Sequence, residues 1–455
     1  MSDRADAGRV PGFHPPEGFL AVCRVLETAG FEAWGVGGAI RDAILGHDRA
    51  DWDLATGAPP ERVRSLFRRT VPLGLEHGTV GVIAPDGAMY EVTTFRRDVE
   101  TDGRHAVVAF ADTVEEDLSR RDFTINALAW RPATGELRDP YGGRADLDRR
   151  LLRAVGDPAA RFAEDYLRVL RGLRFAGRFT LAIEPATRSA LERAVPGLRR
   201  LSAERVREEL VKTLSGPGAG ETLQLYADTG ALEVRYPDLA AVAARDPRWQ
   251  ETVAAVDAIG PHRPLLRLVR WLLALPRDER VADSGDETED AGGVTVERIL
   301  RELKFPNAEI RRVRHLWSHY LPLVHPADSS ARIREWLSEV GPENARDLFR
   351  LHFAAARARG AGESERLLVH AWRRVHDELV AGAPISLSEL AVNGDDLLAL
   401  GLPRGPLVGL MLEELHAQVL EDPGRNEREV LLAEARELIE LGALDGLGEE
   451  RPDEP

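Results

Sequence analysis

Cysteine is almost missing from this chain: Cys23 is the only one in 455 residues. One thiol cannot close an intramolecular disulfide, and no Cys or His lies near it at zinc-ligand spacing. A disulfide scaffold and a zinc module are thereby excluded, and a reducing cytoplasm is the expected compartment. Long hydrophobic runs are missing too. Nowhere do 18 apolar residues follow one another, and the N-terminal stretch MSDRADAGRVPGF has no apolar core of signal-peptide length. Neither a membrane span nor a secretory leader is expected. No repeat of 20–50 residues recurs, which excludes a solenoid. Positive charge is in deficit as well. A formal charge of −16 and a pI of about 5.4 exclude nonspecific nucleic-acid binding over the whole surface.

What is present is ordinary for a globular chain, 44% hydrophobic and 30% charged, and its length calls for two to four domains. The charge is segregated. Residues 151–215 carry 13 Arg and Lys against 8 Asp and Glu, whereas residues 278–290 carry 7 acids against one Arg. Any RNA-contacting face is therefore local. Residues 1–18 read as a mobile lead-in, and Phe19, Val22, Cys23 and Leu26 as the apolar face of a short helix ending at Gly30. A strand over 31–36, a helix over 39–45 and a strand over 51–55 follow. Residues 79–84 and 89–95 flank Pro85-Asp86-Gly87, a hairpin signal. From Asp157-Pro158, an Asp cap with Pro in the first turn, the period becomes helical and stays so to about Leu441. The acidic stretch 277–293 reads as a disordered insertion. The fold class is α+β, with a small N-terminal mixed α/β head followed by an elongated all-helical neck, body and tail.

Three clusters carry chemistry. The first is GGAIRD (37–42) followed by DWD (51–53). Two glycines between a strand and a helix let backbone amides approach a triphosphate at the positive end of the helix, and Arg41 adds a charge-assisted donor. On a strand, Asp51 and Asp53 point to one face. Two carboxylates so close repel unless a cation lies between them, which suits one or two Mg²⁺ ions. The spacing of this cluster resembles the signature of the DNA polymerase β-like nucleotidyltransferase superfamily, which implies a third carboxylate on a later strand; Glu91 is the candidate, and a surface glutamate explains it equally well. The second cluster is EDLSRRDFTINA (116–127). Arg121 and Asp122 there suit a phosphate and a ribose hydroxyl, or else form a charged helix entry with Phe123 and Ile125 in the core. The third is EDYLRVLRGLRF (164–175). Phe162, Tyr166, Val169, Leu170 and Leu173 share one helical face, and Asp165, Arg168, Arg171 and Arg174 form a ridge on the other. That ridge is a salt-bridged solvated face or a base reader. An Asp accepts from an exocyclic amine while an Arg donates to the neighbouring ring nitrogen, a pattern that cytosine and adenine satisfy and uracil and guanine do not.

Together these clusters and DPYGGRADL (139–147) resemble successive motifs of the class II CCA-adding tRNA nucleotidyltransferase and bacterial poly(A) polymerase family, within the DNA polymerase β-like superfamily. The likeness spans roughly residues 31–215. It implies that Gly38 and Arg41 hold the nucleotide, Asp51 and Asp53 the Mg²⁺, and Arg121 with Asp122 the ribose. It further implies that Asp165 and Arg168 read the base, with Arg171 and Arg174 near the triphosphate. Residues 139–147 would be a hinge, and 98–110 a short version of the flexible loop tied to A addition. LAVNGDDL (390–397) and GLPRGP (401–406) resemble the tail that packs on tRNA. The implied division is a head at 19–150, a neck at 151–215, a body at 216–380 and a tail at 381–445. The substrates would be CTP, ATP and tRNA; poly(A) synthesis, CC-only or A-only addition, and a catalytically inactive RNA-binding module are the rival readings. Where some relatives carry a His-Asp phosphohydrolase pair, this chain has Ala274-Leu275-Pro276, so no hydrolase activity is expected. His315 and His319 read as helix-surface residues.

Overall fold

The structure, a computed structural model, describes residues 13–47, 51–74, 78–101, 106–276 and 291–441. The chain forms two compact units, residues 1–253 with 302–304, and residues 254–301 with 305–455. The expected head and neck thus share one unit.

The first unit begins with α1 (Glu17–Thr28), which starts inside the stretch expected to be a loose lead-in. Phe19, Val22, Cys23 and Leu26 are its buried face, and each large side chain so buried contributes about 2 kcal/mol. Then come β1 (Ala33–Val36), α2 (Gly38–Ile44), β2 (Asp53–Thr56), α3 (Pro60–Leu66), β3 (Thr70–Gly74), β4 (Thr79–Ile83) and β5 (Met89–Thr94). After β6 (Arg96–Thr101), β7 (Ala106–Phe110) and α4 (Val114–Ser119) come a one-turn helix at Thr124–Asn126, β8 (Ala129–Arg131) and β9 (Glu136–Arg138). Seven strands form one sheet in the order β3-β4-β5-β2-β1-β8-β9. β2 and β5 run parallel, and the other neighbours are antiparallel. β1 is buried along its whole length, as the centre of a covered sheet requires. Strands β6 and β7 form a separate hairpin, so the described part of 98–110 is paired strand where a loop was expected. The β2 strand starts at Asp53, two residues later than expected.

The hinge segment runs through α5 (Gly143–Asp148), which Asp139 caps by accepting the amides of Gly143 and Arg144 at 2.6 and 3.0 Å. After β10 (Leu151–Leu152), the neck comprises α6 (Pro158–Glu164), α7 (Leu167–Phe179), β11 (Ala182–Ile183), α8 (Pro185–Ala194) and α9 (Ala203–Leu214). The expected continuous helix across 162–175 is in fact two. Asp165 is extended (φ −155°), and its Oδ1 accepts the Leu167 amide at 3.0 Å. Aspartate competes in this way for a backbone donor at the start of a helix, and the chain turns there.

The second unit is helical. Ala291, Gly292 and Gly293 open a helix to Glu302 instead of belonging to a disordered insertion, and residues 277–290 of that insertion lie outside the described residues. Toward the end, Leu397, Met411, Leu415, Val419, Leu431 and Ala435 form a compact core. Arg334 donates to the carbonyls of Leu420 and Glu421 at 2.6 and 2.8 Å, satisfying the open end of the helix Pro406–Glu421. No described helix is long and apolar enough to cross a membrane.

Candidate active site

The site starts where β1 hands over to α2. Gly37 caps the helix with φ 68° and ψ −127°, a region that favours glycine. A Cβ there would also lie 2.9 Å from Arg121 Nη1, so the turn and Arg121 are fitted to each other. Gly38 is the first residue of α2. Arg41, one turn on, packs beside the turn, with its Nη2 3.4 Å from where a Cβ on Gly38 would lie. It is only 5% exposed, its Nε and Nη2 bind Asp42 Oδ1 at 2.8 and 2.7 Å, and its Nη1 binds Asn126 Oδ1 at 2.5 Å. Its guanidinium lies 4.5 Å from the centre of the Phe179 ring and 5.3 Å from that of Phe175. Arg41 thus braces the turn from beneath, and these protein acceptors engage all three of its nitrogens.

Asp51 and Asp53 are exposed and Trp52 between them is buried, the alternation of an extended segment. The parallel register that sets Leu54 opposite Val92 carries Glu91 to the place beside Asp53. The charges interact strongly. Partial loss of water around Asp53, then Glu91, then Asp51 push its pKa up to about 6, with Arg121 opposing. Among the described residues no group of three or more His, Cys, Asp or Glu side chains is placed to hold a metal ion. The donors are nonetheless the hard oxygens that Mg²⁺ prefers, and a divalent cation would relieve the repulsion that raises Asp53. The carboxylates fit such an ion.

Arg121 also donates to Asp117 at 2.9 Å. Asp117 is 1% exposed and in addition accepts from Arg120 Nε and from the backbone amide of Arg96, the first residue of β6. Asp122 is 7% exposed. Its Oδ1 accepts from Asn126 Nδ2 at 3.0 Å and from the Phe123 amide at 2.9 Å, while Oδ2 takes Arg171 Nε and Nη2 at 2.8 and 2.7 Å. Burial pushes Asp122 upward, but Arg171, Asn126 and the Phe123 amide outweigh it and hold it at about 2.

The neck residues have found partners within the protein. Asp165 Oδ2 accepts from Arg205 Nη2 at 2.7 Å, and Arg168 binds Glu164 and the carbonyls of Arg161 and Arg120. Arg174 is buried in an ion pair with Glu209. Along the expected ridge, Arg171 pairs with Asp122 and Arg174 with Glu209 on α9, both guanidinium groups lie over the Phe175 ring, and Asp165 sits at a helix break within electrostatic reach of Arg171. Sequence reasoning had assigned no role to Asn126, Asp117, Arg205 or Glu209. The i,i+4 spacing of Asp122 and Asn126 was the available signal for the first. In the second unit, His315 and His319 stack at 4.2 Å. His315 Nε2 meets the Val340 carbonyl and His319 Nδ1 the His315 carbonyl, so both rings bond to backbone.

Comparison with known proteins accounts for this arrangement. Residues 33–153 match the family model of the poly A polymerase head domain, and residues 180–242 that of a probable RNA- and SrmB-binding site of polymerase A. Residues 290–435 match a putative second domain of tRNA nucleotidyltransferases. The chain is 37% identical to the CCA-adding enzyme of Geobacillus thermodenitrificans, over 91% of this chain and 95% of that one. It is 36% identical to that of Enterococcus faecalis, over 91% and 94%. The crystal structure of the Bacillus stearothermophilus CCA-adding enzyme in complex with CTP matches with a TM-score of 0.76 at 33% identity, covering 95% of this chain and 99% of that chain. The Thermotoga maritima CCA-adding enzyme complexed with tRNA shares the fold, with a TM-score of 0.56 at 22% identity over 93% and 94%. With relatives this similar along nearly their whole length, and a glycine turn set beside sheet-borne carboxylates, the chain belongs to the family of CCA-adding enzymes.

Proposed function

We propose that this protein adds C and A nucleotides, without a template, to the 3′ end of tRNA, using CTP and ATP and releasing pyrophosphate. The observation that carries the reading is Arg121. It lies against the Gly37 turn and within electrostatic reach of Asp53, joining a phosphate cradle to a carboxylate cluster. The tRNA 3′-hydroxyl gives up its proton to water as its oxygen attacks the α-phosphorus, the bond from that phosphorus to the α,β-bridging oxygen breaks, and pyrophosphate leaves. Asp51 and Asp53 would hold Mg²⁺, with Glu91 as a third carboxylate. Bound there, the ion supplies charge that favours the attacking alkoxide and the leaving oxygen.

The chain's own groups do the rest. The Gly38 backbone amide, at the open start of α2, faces the triphosphate, and Arg121 adds charge to it, while the Gly37 amide is held by the Leu128 carbonyl at 3.1 Å. Asp122 accepts from the ribose hydroxyl. Asp165 accepts the base amine and Arg168 donates to the ring nitrogen. Arg41, Arg171 and Arg174, held by Asp42 and Asn126, by Asp122 and by Glu209, serve as the frame around these contacts. We assign residues 19–150 to the head, 151–215 to the neck, 216–380 to the body and 381–445 to a tRNA-contacting tail. The compartment is the cytoplasm, where tRNA and the nucleotides are found.

Incubating the protein with tRNA lacking its 3′ end, together with CTP, ATP or both, and sizing the products at single-nucleotide resolution tests the proposal. Two additions with CTP alone and three with both nucleotides are expected. A long ladder with ATP alone would make it a poly(A) polymerase, and no extension at all would make it an RNA-binding protein.

A further inference from the structure

Asn126 connects two groups of the site, Arg41 and Asp122. It closes the one-turn helix Thr124–Asn126 and is 5% exposed. Its Oδ1 accepts from Arg41 Nη1, and its Nδ2 donates to Asp122 Oδ1. A side-chain amide has an acceptor and a donor on one rigid plane, so it can serve a guanidinium and a carboxylate at once. A carboxylate at this place would bind Arg41 and repel Asp122. A hydroxyl would lack the span to reach both.

The two oxygens of Asp122 are fixed from opposite sides. Arg171, on the neck helix α7, holds Oδ2, and Asn126 with the Phe123 amide holds Oδ1. The rotation of the carboxylate about its own axis therefore depends on both. Arg41, at the far end of the chain of contacts, is itself clamped over Phe175 and Phe179, so Asn126 has a firm base.

We infer that Asn126 is a positioning residue for sugar discrimination, orienting Asp122 toward the ribose hydroxyl and so setting the preference for ribonucleotides over deoxyribonucleotides. The inference rests on the reading of Asp122 as the group that contacts ribose. Its effect on sugar choice passes through Asp122, to which it donates.

The test is a double-mutant cycle on full-length protein: wild type, Asn126→Ala, Asp122→Ala and the double variant. The readout is kcat/KM for CTP and for dCTP on tRNA lacking its 3′ end. Asp122→Ala is expected to lower the CTP:dCTP preference, and Asn126→Ala to lower it by about tenfold, the effect of one lost hydrogen bond to a charged group. The double variant should discriminate no worse than Asp122→Ala, because the effect of Asn126 passes through that residue. If Asn126→Ala fails to fold, Asn126→Asp keeps the Arg41 contact, reverses the polarity toward Asp122, and should give the same loss of preference. Equal slowing of CTP and dCTP in the Asn126 variants, with a changed ratio in Asp122→Ala, would overturn the inference and leave the ribose reading standing. An unchanged ratio in Asp122→Ala would remove both.

Discussion

Arg171 and Asp122 stand 49 residues apart, one on the neck helix and one after α4, and meet through two contacts of 2.8 and 2.7 Å to a single carboxylate oxygen. The pair ties neck to head within one compact unit. Its pH dependence follows from its sign. Asp122 is held at about 2 against an ordinary 3.8. A depressed carboxylate contributes stability above its unfolded pKa and loses it as pH falls through the folded value. The contribution is about 2 kcal/mol. Asp122→Asn should therefore be less stable than wild type at pH 7, with the gap closing between about pH 4 and pH 2. Urea denaturation of both proteins across that range checks it, and a gap of the same size at both ends would show that the pair contributes no charge energy.

Asp53 behaves in the opposite sense. Loss of water, then Glu91 and Asp51, resist its ionisation against the pull of Arg121, so the negative charge is a burden to the protein without a cation. Asp53→Asn is expected to abolish nucleotide transfer while leaving the melting temperature, measured in chelator, equal to or above that of wild type. Turnover above a few percent of wild type at saturating Mg²⁺, or a clear drop in melting temperature, would count against the metal-ligand assignment.

The arginine excess of residues 151–215 needs a finer prediction now that partners are known. Arg161, Arg168, Arg171, Arg174, Arg188 and Arg205 are engaged by carboxylates; Arg199 and Arg200 are exposed, Arg200 with its guanidinium 5.6 Å from the centre of the Tyr166 ring. Affinity for tRNA should fall steeply with salt despite the net charge of −16. Removing Arg199 and Arg200 together should reduce the slope of log K against log salt by about 1–2, since each phosphate contact contributes a little under one. Titrations at several salt concentrations give the slope directly. An unaltered slope would mean that these arginines do not meet the RNA backbone.

The sequence made local features legible and distant ones not. Asp51-Trp52-Asp53 alternates out, in, out, and the glycine turn falls between strand and helix, because both depend on neighbours within a few residues. The partners of Arg41 were not legible, because its direction is set by Asn126, 85 residues on, and by Phe179. No periodicity records such a contact. The helix break at Asp165 carries no Pro or Gly, and an apolar period runs across it. What favours the break is a cap to Leu167 and a partner, Arg205, 40 residues later. The β4–β5 hairpin was readable from Pro85-Asp86-Gly87, but the parallel pairing of β5 with β2, which brings Glu91 to Asp53, is a tertiary choice.

That same pairing of Asp165 with Arg205 sharpens the prediction for base choice. Asp165 has one oxygen on the Leu167 amide and the other on Arg205, so its carboxylate is oriented before a nucleotide arrives. Arg168 is likewise anchored, by Glu164 and two backbone carbonyls. If Asp165 accepts from the base amine and Arg168 donates to the ring nitrogen, UTP would set an acceptor against Asp165 and a donor against Arg168. Each buried mismatch costs roughly 1–3 kcal/mol, and more where a charge is involved. Asp165→Ala removes a repulsion and an attraction together. CTP and ATP addition should slow by tenfold or more, on the order of one lost charge-assisted bond, while the preference over UTP and GTP shrinks by a comparable factor. The loss of the Leu167 cap should also cost about 1 kcal/mol of stability, so melting curves must accompany the kinetics. Arg168→Ala should relax selectivity in the same direction without the loss of the cap. The measurement is kcat/KM for all four nucleotides in the three proteins. If both variants slow all four alike, Asp165 and Arg168 only hold the helix break in place, and base choice is made by other groups.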